Sequence, residues 1–225
     1  LWDRLFRATL PYGRKGVALH ALSAIDLALW DLAGKAAGKP VYELLGGPVK
    51  PDIPVYASAL HPVGAEKVQA EAKAYVEEGY QAMKMRFPYG PGHGIAGMRA
   101  NEEHVAHVRH AVGDDIEIMA DAYMGWDFLY AKKMVKRLEP YRLAWLEEAF
   151  LPDDLNSYAK LRQETSIPIS GGEHEYTRFG FQQIIEKQAM DIIQPDLRRC
   201  GGLSEGRRIC SLALANGITV IPHAY

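Results

Sequence analysis

Seven short apolar runs alternate with amphipathic stretches along this chain, and that alternation constrains its fold more than anything else in it. The runs are Ile53–Ala57, Gln81–Met85, Ile116–Ala120, Leu143–Leu146, Ile167–Ser170, Asp191–Gln194 and Ile218–Ile221. Between them lie Glu66–Glu78, Glu102–Val112, Asp127–Leu138, Leu155–Glu164, Phe179–Lys187 and Ser204–Asn216, amphipathic stretches read as helices; in the first, Val68, Ala72 and Val76 share one face. Strands and helices that alternate with a period of roughly 25 residues predict a parallel sheet, because a parallel connection needs a crossover element. A barrel and an open doubly wound sheet both satisfy this pattern. The open sheet usually carries a phosphate-binding glycine turn after its first strand. Tyr56-Ala57-Ser58-Ala59 is followed by no such glycines, so the expectation is a TIM-type α/β barrel.

The first fifty residues have a different texture. Residues 18–46 read as helix, with Gly34 and Gly38-Lys39-Pro40 punctuating it and a shorter piece, Val41 to Leu45, closing at Gly46-Gly47-Pro48. The expected organisation is a helical segment over residues 1–50 and a barrel catalytic domain over 51–225 containing strands one to seven. The chain has 225 residues, 48% hydrophobic and 24% charged, with net charge −2. That balance gives no electrostatic reason to expect a nucleic acid or an anionic membrane as partner. Two cysteines, Cys200 and Cys210, form no metal motif, and so few thiols fit a reducing, cytoplasmic setting. No apolar stretch reads as approaching the ~18–20 residues needed to cross a bilayer. The chain begins without methionine and stops straight after an apolar run, which is expected of a fragment.

Each strand from the second to the seventh ends in ionisable residues. They are Lys84 and Arg86; Asp121; Glu147-Glu148; Glu173-His174-Glu175; Asp196; and His223. A single acid at a strand end is usually a helix cap or a surface charge. Six strands in succession, with Asp121, Glu147 and Glu173 spaced 26 residues apart, point to a shared site at the carboxyl ends of the strands. Three carboxylates suit a hard divalent cation such as Mg²⁺, whereas zinc would want His or Cys, for which His174 is the nearby candidate. Asp196 and His223 fall on adjacent strands, a pairing that fixes an imidazole tautomer and suits a general base. Lys84 and Arg86 share a side of their strand and add positive charge. Such a site suits abstraction of a proton beside a carboxylate, which builds negative charge in the transition state.

The residues that carry a family likeness are Ala24-Ile25-Asp26-Leu27-Ala28-Leu29-Trp30-Asp31-Leu32-Ala33-Gly34-Lys35 with Leu44-Leu45-Gly46-Gly47, Trp145-Leu146-Glu147-Glu148, Gly172-Glu173, Asp196 with Gly201-Gly202, and Pro222-His223. In these the chain resembles the mandelate racemase subgroup of the enolase superfamily, across essentially its whole length. Lys84 to Pro91 and Gly171 to Thr177 are most similar to the rhamnonate dehydratases. The resemblance implies a (β/α)7β barrel, incomplete here, with the family's N-terminal capping domain largely missing. It implies Mg²⁺ on Asp121, Glu147 and Glu173, with Glu147 favoured over Glu148 because the ligand in this motif is usually the first acid, and Asp196–His223 as the acid/base dyad. Lys84 and Arg86 join the catalytic group, and His174 and Arg86 bind substrate. The implied reaction is dehydration of a small sugar acid, L-rhamnonate-like, to a 2-keto-3-deoxy acid through an enediolate. Alternatives are a dehydratase for another acid sugar such as a lyxonate, or a racemase or epimerase; a non-catalytic scaffold is the remaining class. Racemases of the subgroup carry a second lysine where this chain has Arg86, and arginine is a poor base. The resemblance also implies a homo-oligomer. The glycine-rich loop Tyr89–Gly94 reads as a mobile active-site loop, and Arg198-Arg199 with Arg207-Arg208 as a solvated or intersubunit surface.

Overall fold

The structure, a computed structural model, describes residues 1–224. Two compact units divide the chain, one formed by Pro54–Gly171 with Lys187–Asp191 and the other by Leu1–Ile53, Gly172–Glu186 and Ile192–Tyr225.

The first of these alternates strands and helices in chain order: β1 (Ala57–Ser58), α4 (Ala65–Glu77), β2 (Ala82–Arg86), α5 (Gly94–Val112), β3 (Glu117–Asp121), α6 (Phe128–Leu138), β4 (Leu146–Glu147), α7 (Leu155–Glu164) and β5 (Ile169–Gly171). Neighbouring strands pair in parallel, β1 with β2, β2 with β3, β3 with β4 and β4 with β5. Met83, Lys84 and Met85 are all buried, as are Ile118, Met119 and Ala120, so β2 and β3 are covered on both faces. That burial fits the apolar run Ile118–Ala120 of β3, whereas in β2 the buried Lys84 stands between Met83 and Met85. The register matters most for function. Arg86 pairs with Asp121, Asp121 with Glu147, and Glu147 with Ser170, which sets four polar residues in one row across four strands.

The other unit carries α1 (Trp2–Thr9), α2 (Val17–Ala37), α3 (Val41–Leu44), α8 (Thr177–Glu186), β6 (Ile192–Ile193), α9 (Gly202–Ala215) and β7 (Thr219–Val220). Trp2, Leu19 and Leu22 form a buried cluster there, with Leu5, Phe6, Ala18 and Tyr176 packed against it. β6 and β7 pair in parallel, and one further parallel bridge, Asp196 to His223, extends the pairing beyond them. Helix α2 ends where expected: Gly38 takes the left-handed conformation at φ 63°, and the Lys39 N–H returns to the Gly34 carbonyl.

Several expectations change. Ile53–Tyr56 is not strand, because only Ala57 and Ser58 find register partners on β2. Helix α5 begins at Gly94, eight residues before the expected Glu102. The polar-looking segment Trp2–Thr9 is a helix that the periodicity did not reveal. By length and composition alone α2 is apolar enough to cross a membrane, contrary to the reading of the sequence. One face of it, through Leu19, Leu22, Ser23 and Asp26, is nevertheless buried within its own unit.

Candidate active site

The parallel register of β2, β3 and β4 brings four charged side chains to one end of the first unit. Lys84 Nζ hydrogen-bonds Glu147 Oε1 and lies 3.8 Å from Asp121 Oδ2. Arg86 Nη1 is 3.3 Å from the same Asp121 oxygen. Lys84, Asp121 and Glu147 are all buried, whereas Arg86 is about one-third exposed at 35%. Trp145 Nε1 donates to Glu147 Oε2 at 2.9 Å, and Tyr56 packs edge-on against the Trp145 ring at 5.5 Å. Lys84 also approaches the Tyr56 ring face, and the Arg86 guanidinium lies 5.6 Å from the Tyr123 ring centroid. The pair of acids is thus enclosed by aromatic walls and two cations.

Burial, reinforced by the neighbouring Glu147 carboxylate, pushes the Asp121 carboxyl up to about 6 despite Lys84, the Tyr123 N–H and Arg86. Burial alone would lower the Lys84 ammonium, but Glu147 and Asp121 outweigh it and hold lysine above its ordinary value. Lys84 is thus paired with both acids. Glu148 is also buried, yet it extends differently: a Cβ placed on Gly171 would lie 3.5 Å from Glu148 Cγ. Its backbone sits at φ 44°. The register row selects Glu147, not Glu148, as the partner of Asp121.

The other unit brings together Glu173, His174, Asp196 and His223. The parallel bridge sets Asp196 beside His223, and His223 Nδ1 meets Asp196 Oδ2 at 2.8 Å. A carboxylate on Nδ1 fixes that nitrogen as the donor and leaves Nε2 for proton transfer. Nε2 lies 3.2 Å from Glu173 Oε2, and His174 Nε2 lies 3.7 Å from Glu173 Oε1. Burial opposes ionisation of Asp196, but the His223 bond, the Arg198 N–H at 2.6 Å and the Arg198 guanidinium outweigh it and hold the carboxyl down at about 2.

Arg198 and Arg199 are the residues that sequence reasoning misplaced. Arg199 is mostly buried; its Nη1 sits 3.3 Å from Glu173 Oε1 and its Nε 3.7 Å from Asp196 Oδ2. Arg198 Nη2 reaches Asp196 Oδ2 at 3.4 Å. Arg199 belongs to the acidic cluster rather than to a solvated surface, while Arg198 touches the cluster and stays half exposed. The readable signal was their position two and three residues after Asp196, inside its turn. Arg207 is exposed, whereas Arg208 is part-buried and pairs with Asp3 and with the fully buried Glu205. The Tyr89–Gly94 loop is also anchored more than its glycines imply. The Tyr89 carbonyl accepts from Asn101 Nδ2 and from Trp126 Nε1, both at 2.9 Å, and Pro91–His93 form a 3₁₀ turn.

The depressed Asp196 carboxyl has a consequence for stability. Its folded value near 2 lies below the ~3.9 of an unfolded aspartate, so it stabilises the fold at pH above about 4 and loses that contribution as pH falls toward 2. The advantage of the unmodified protein over Asp196→Asn, measured by urea unfolding without added metal, is expected to shrink by about 2 kcal/mol over that window. An advantage that is flat with pH would contradict the pairing.

Residues 67–225 match the family described as Enolase C-terminal domain-like, and residues 1–46 match the Mandelate racemase / muconate lactonizing enzyme, N-terminal domain. The chain belongs to the enolase C-terminal domain-like family, and its fold class is the α/β, TIM-type barrel of that superfamily. It is 43% identical over 225 residues to the L-rhamnonate dehydratase of Saccharopolyspora erythraea, a match covering 99% of this chain and 55% of that protein. The chain spans about half the length of the curated relatives it matches. Among solved structures, the rhamnonate dehydratase of Gibberella zeae complexed with Mg is 37% identical with TM-score 0.87, covering 100% of this chain and 53% of that one. The 3,6-anhydro-D-galactonate cycloisomerase of Zobellia galactanivorans is 36% identical with TM-score 0.92, covering 100% and 61%.

Proposed function

We propose that the protein is a Mg²⁺-dependent hydro-lyase that converts a sugar acid, L-rhamnonate-like, into its 2-keto-3-deoxy acid. The observation that carries this reading is an oriented base, His223 held through Nδ1 by Asp196; Arg86 and the acid-paired Lys84 on β2 add positive charge. The kinship with L-rhamnonate dehydratase supports the choice of substrate class.

Asp121, Glu147 and Glu173 are assigned as the ligands of Mg²⁺. The donor chemistry fits: two buried carboxylates adjoin in one row, and the Ser170 hydroxyl in that row is buried without a hydrogen-bond partner among the described residues. A hard cation favours oxygen donors of this kind. When bound, Mg²⁺ supplies a Lewis acid for the substrate carboxylate and the charge that develops on it. The side chains do the rest. His223 Nε2 takes the proton from C2, and the C2–H electron pair moves into the enediolate. The 3-hydroxyl leaves with its bonding electrons and with a proton returned by the imidazolium, departing as water. The resulting enol ketonises to the 2-keto acid. Arg86 clamps substrate oxygens in a planar, permanently charged fork. His174 binds substrate, and Lys84 balances the acids. In this reading residues 1–50 form a helical segment ahead of a catalytic region from residue 51.

A screen of acid sugars for 2-keto-3-deoxy product tests the proposal on the intact protein; exchange of the C2 proton without loss of water would instead favour an epimerase. Arg86→Lys is expected to raise KM for the productive acid sugar about tenfold, since one bidentate contact is lost, of the order of a charged hydrogen bond. An unaltered KM and rate would remove Arg86 from substrate binding.

A further inference from the structure

The helix α2 motif Ala24–Lys35 is used by none of the chemistry above, yet polar side chains at and beside its start point into the fold. Ser23 is fully buried and Asp26 nearly so. Ser23, Asp26 and Trp30 lie three and four residues apart, on one helix face. All three meet the start of α9. The Gly201 N–H donates to Ser23 Oγ at 3.0 Å, the Ser204 N–H to Asp26 Oδ2 at 2.9 Å, and Trp30 Nε1 to Ser204 Oγ at 2.9 Å. Trp2 Nε1 donates to the Gly201 carbonyl at 2.6 Å, so side chains hold both peptide groups of that residue. Ser23 is itself oriented by donating to the Leu19 carbonyl one turn back.

The approach is close enough to explain the two glycines. Gly201 and Gly202 sit at φ 121° and 85°, and a Cβ on Gly202 would lie 2.5 Å from Asp26 Oδ2. The same turn begins at the dyad. The Asp196 carbonyl accepts from the Arg199 N–H at 2.9 Å and the Cys200 N–H at 2.7 Å, while the Cys200 carbonyl accepts from the Thr177 N–H. The turn that starts at Asp196 closes on Cys200 and runs directly into Gly201–Gly202, so the dyad carboxylate and the α2 contacts lie a few residues apart on one tightly held stretch of chain.

We propose that Ser23 and Asp26 are positioning residues for the Asp196–His223 dyad: they clamp the Gly201–Gly202 turn and thereby fix where the Asp196 carboxylate meets His223. Displacing a catalytic group by about 1 Å can cost about 100-fold in rate, so a remote clamp of this kind governs turnover without touching substrate. The effect on rate rests on the dehydratase reading; the effect on the dyad does not.

The experiment uses Asp26→Ala, Asp26→Asn and Ser23→Ala in the intact protein. Asparagine keeps an oxygen to accept from Ser204. The low-field NMR resonance of the His223 Nδ1 proton, shared with Asp196, reports the dyad directly. That signal is expected to shift or broaden in Asp26→Ala and to be retained in Asp26→Asn, at a temperature where both are folded. The turnover number kcat should fall about 10–100-fold in Asp26→Ala with KM within about threefold, and asparagine should recover most of it. If Asp26→Ala does not fold, Ser23→Ala, which removes one acceptor, carries the same expectation in milder form. An unchanged resonance in folded Asp26→Ala or Ser23→Ala overturns the proposal, as does equal loss in alanine and asparagine variants. Should the unmodified protein dehydrate no acid sugar, the functional reading falls while the resonance still decides the clamp.

Discussion

Glu147→Gln is expected to abolish turnover and to weaken Mg²⁺ binding by more than the roughly 10–100-fold typical of losing a group that merely supports a ligand. Glutamine keeps the shape and one oxygen but removes the charge that a hard cation seeks. The rate should fall by at least about 10³-fold, since even one misplaced donor to a developing oxyanion costs about 10²–10³. The fold should survive. Trp145 Nε1 still has an acceptor, and Lys84 remains near Asp121, whose carboxyl is no longer pushed up by a charged neighbour. Calorimetric titration with Mg²⁺ and an assay for 2-keto-3-deoxy acid check both halves. Full activity in a folded Glu147→Gln would remove Glu147 from the metal site.

Lys84→Met separates structure from catalysis. It removes the cation between two buried carboxylates that adjoin in the sheet register. Taking one partner from a buried ion pair typically costs about 3–5 kcal/mol, because the remaining charge stays desolvated. Without metal, Lys84→Met is expected to be destabilised by about that amount in urea unfolding. Excess Mg²⁺ should restore part of it, because a ligand that binds only the folded state stabilises by mass action. A Lys84→Met protein as stable as its parent in the presence of a chelator would show that the two acids do not depend on this cation.

These predictions rest on features that were unevenly legible in the sequence. The strand-end residues Asp121, Glu147 and Lys84 were readable because buried parallel strands leave long apolar runs, against which a terminal charge stands out. The extent of each strand was not, since pairing is decided by the neighbouring strand: residues 53–56 are apolar enough, but the register with β2 takes in only Ala57 and Ser58. Helix α5 starts early because Gly97 packs beneath the Tyr89 loop, where a Cβ would come within 2.5 Å of His93 Cβ. A glycine chosen for close approach looks, in sequence, like a loop residue. The arginines were misread for a similar reason. Adjacent Arg198 and Arg199 resemble a solvated charge run until the turn after β6 folds them back on Asp196. Ser23 and Asp26 lie on the buried face of an apolar helix, and their partners are about 180 residues along the chain, beyond the reach of any local pattern.

The central claim, that His223 takes the C2 proton of an acid sugar that then loses water, is tested most directly by running the reaction in deuterium oxide with the intact protein and with His223→Asn. The account predicts 2-keto-3-deoxy acid from the unmodified protein, and from His223→Asn neither product nor loss of the C2 proton of unreacted substrate. Dehydration at an undiminished rate in a folded His223→Asn would contradict it.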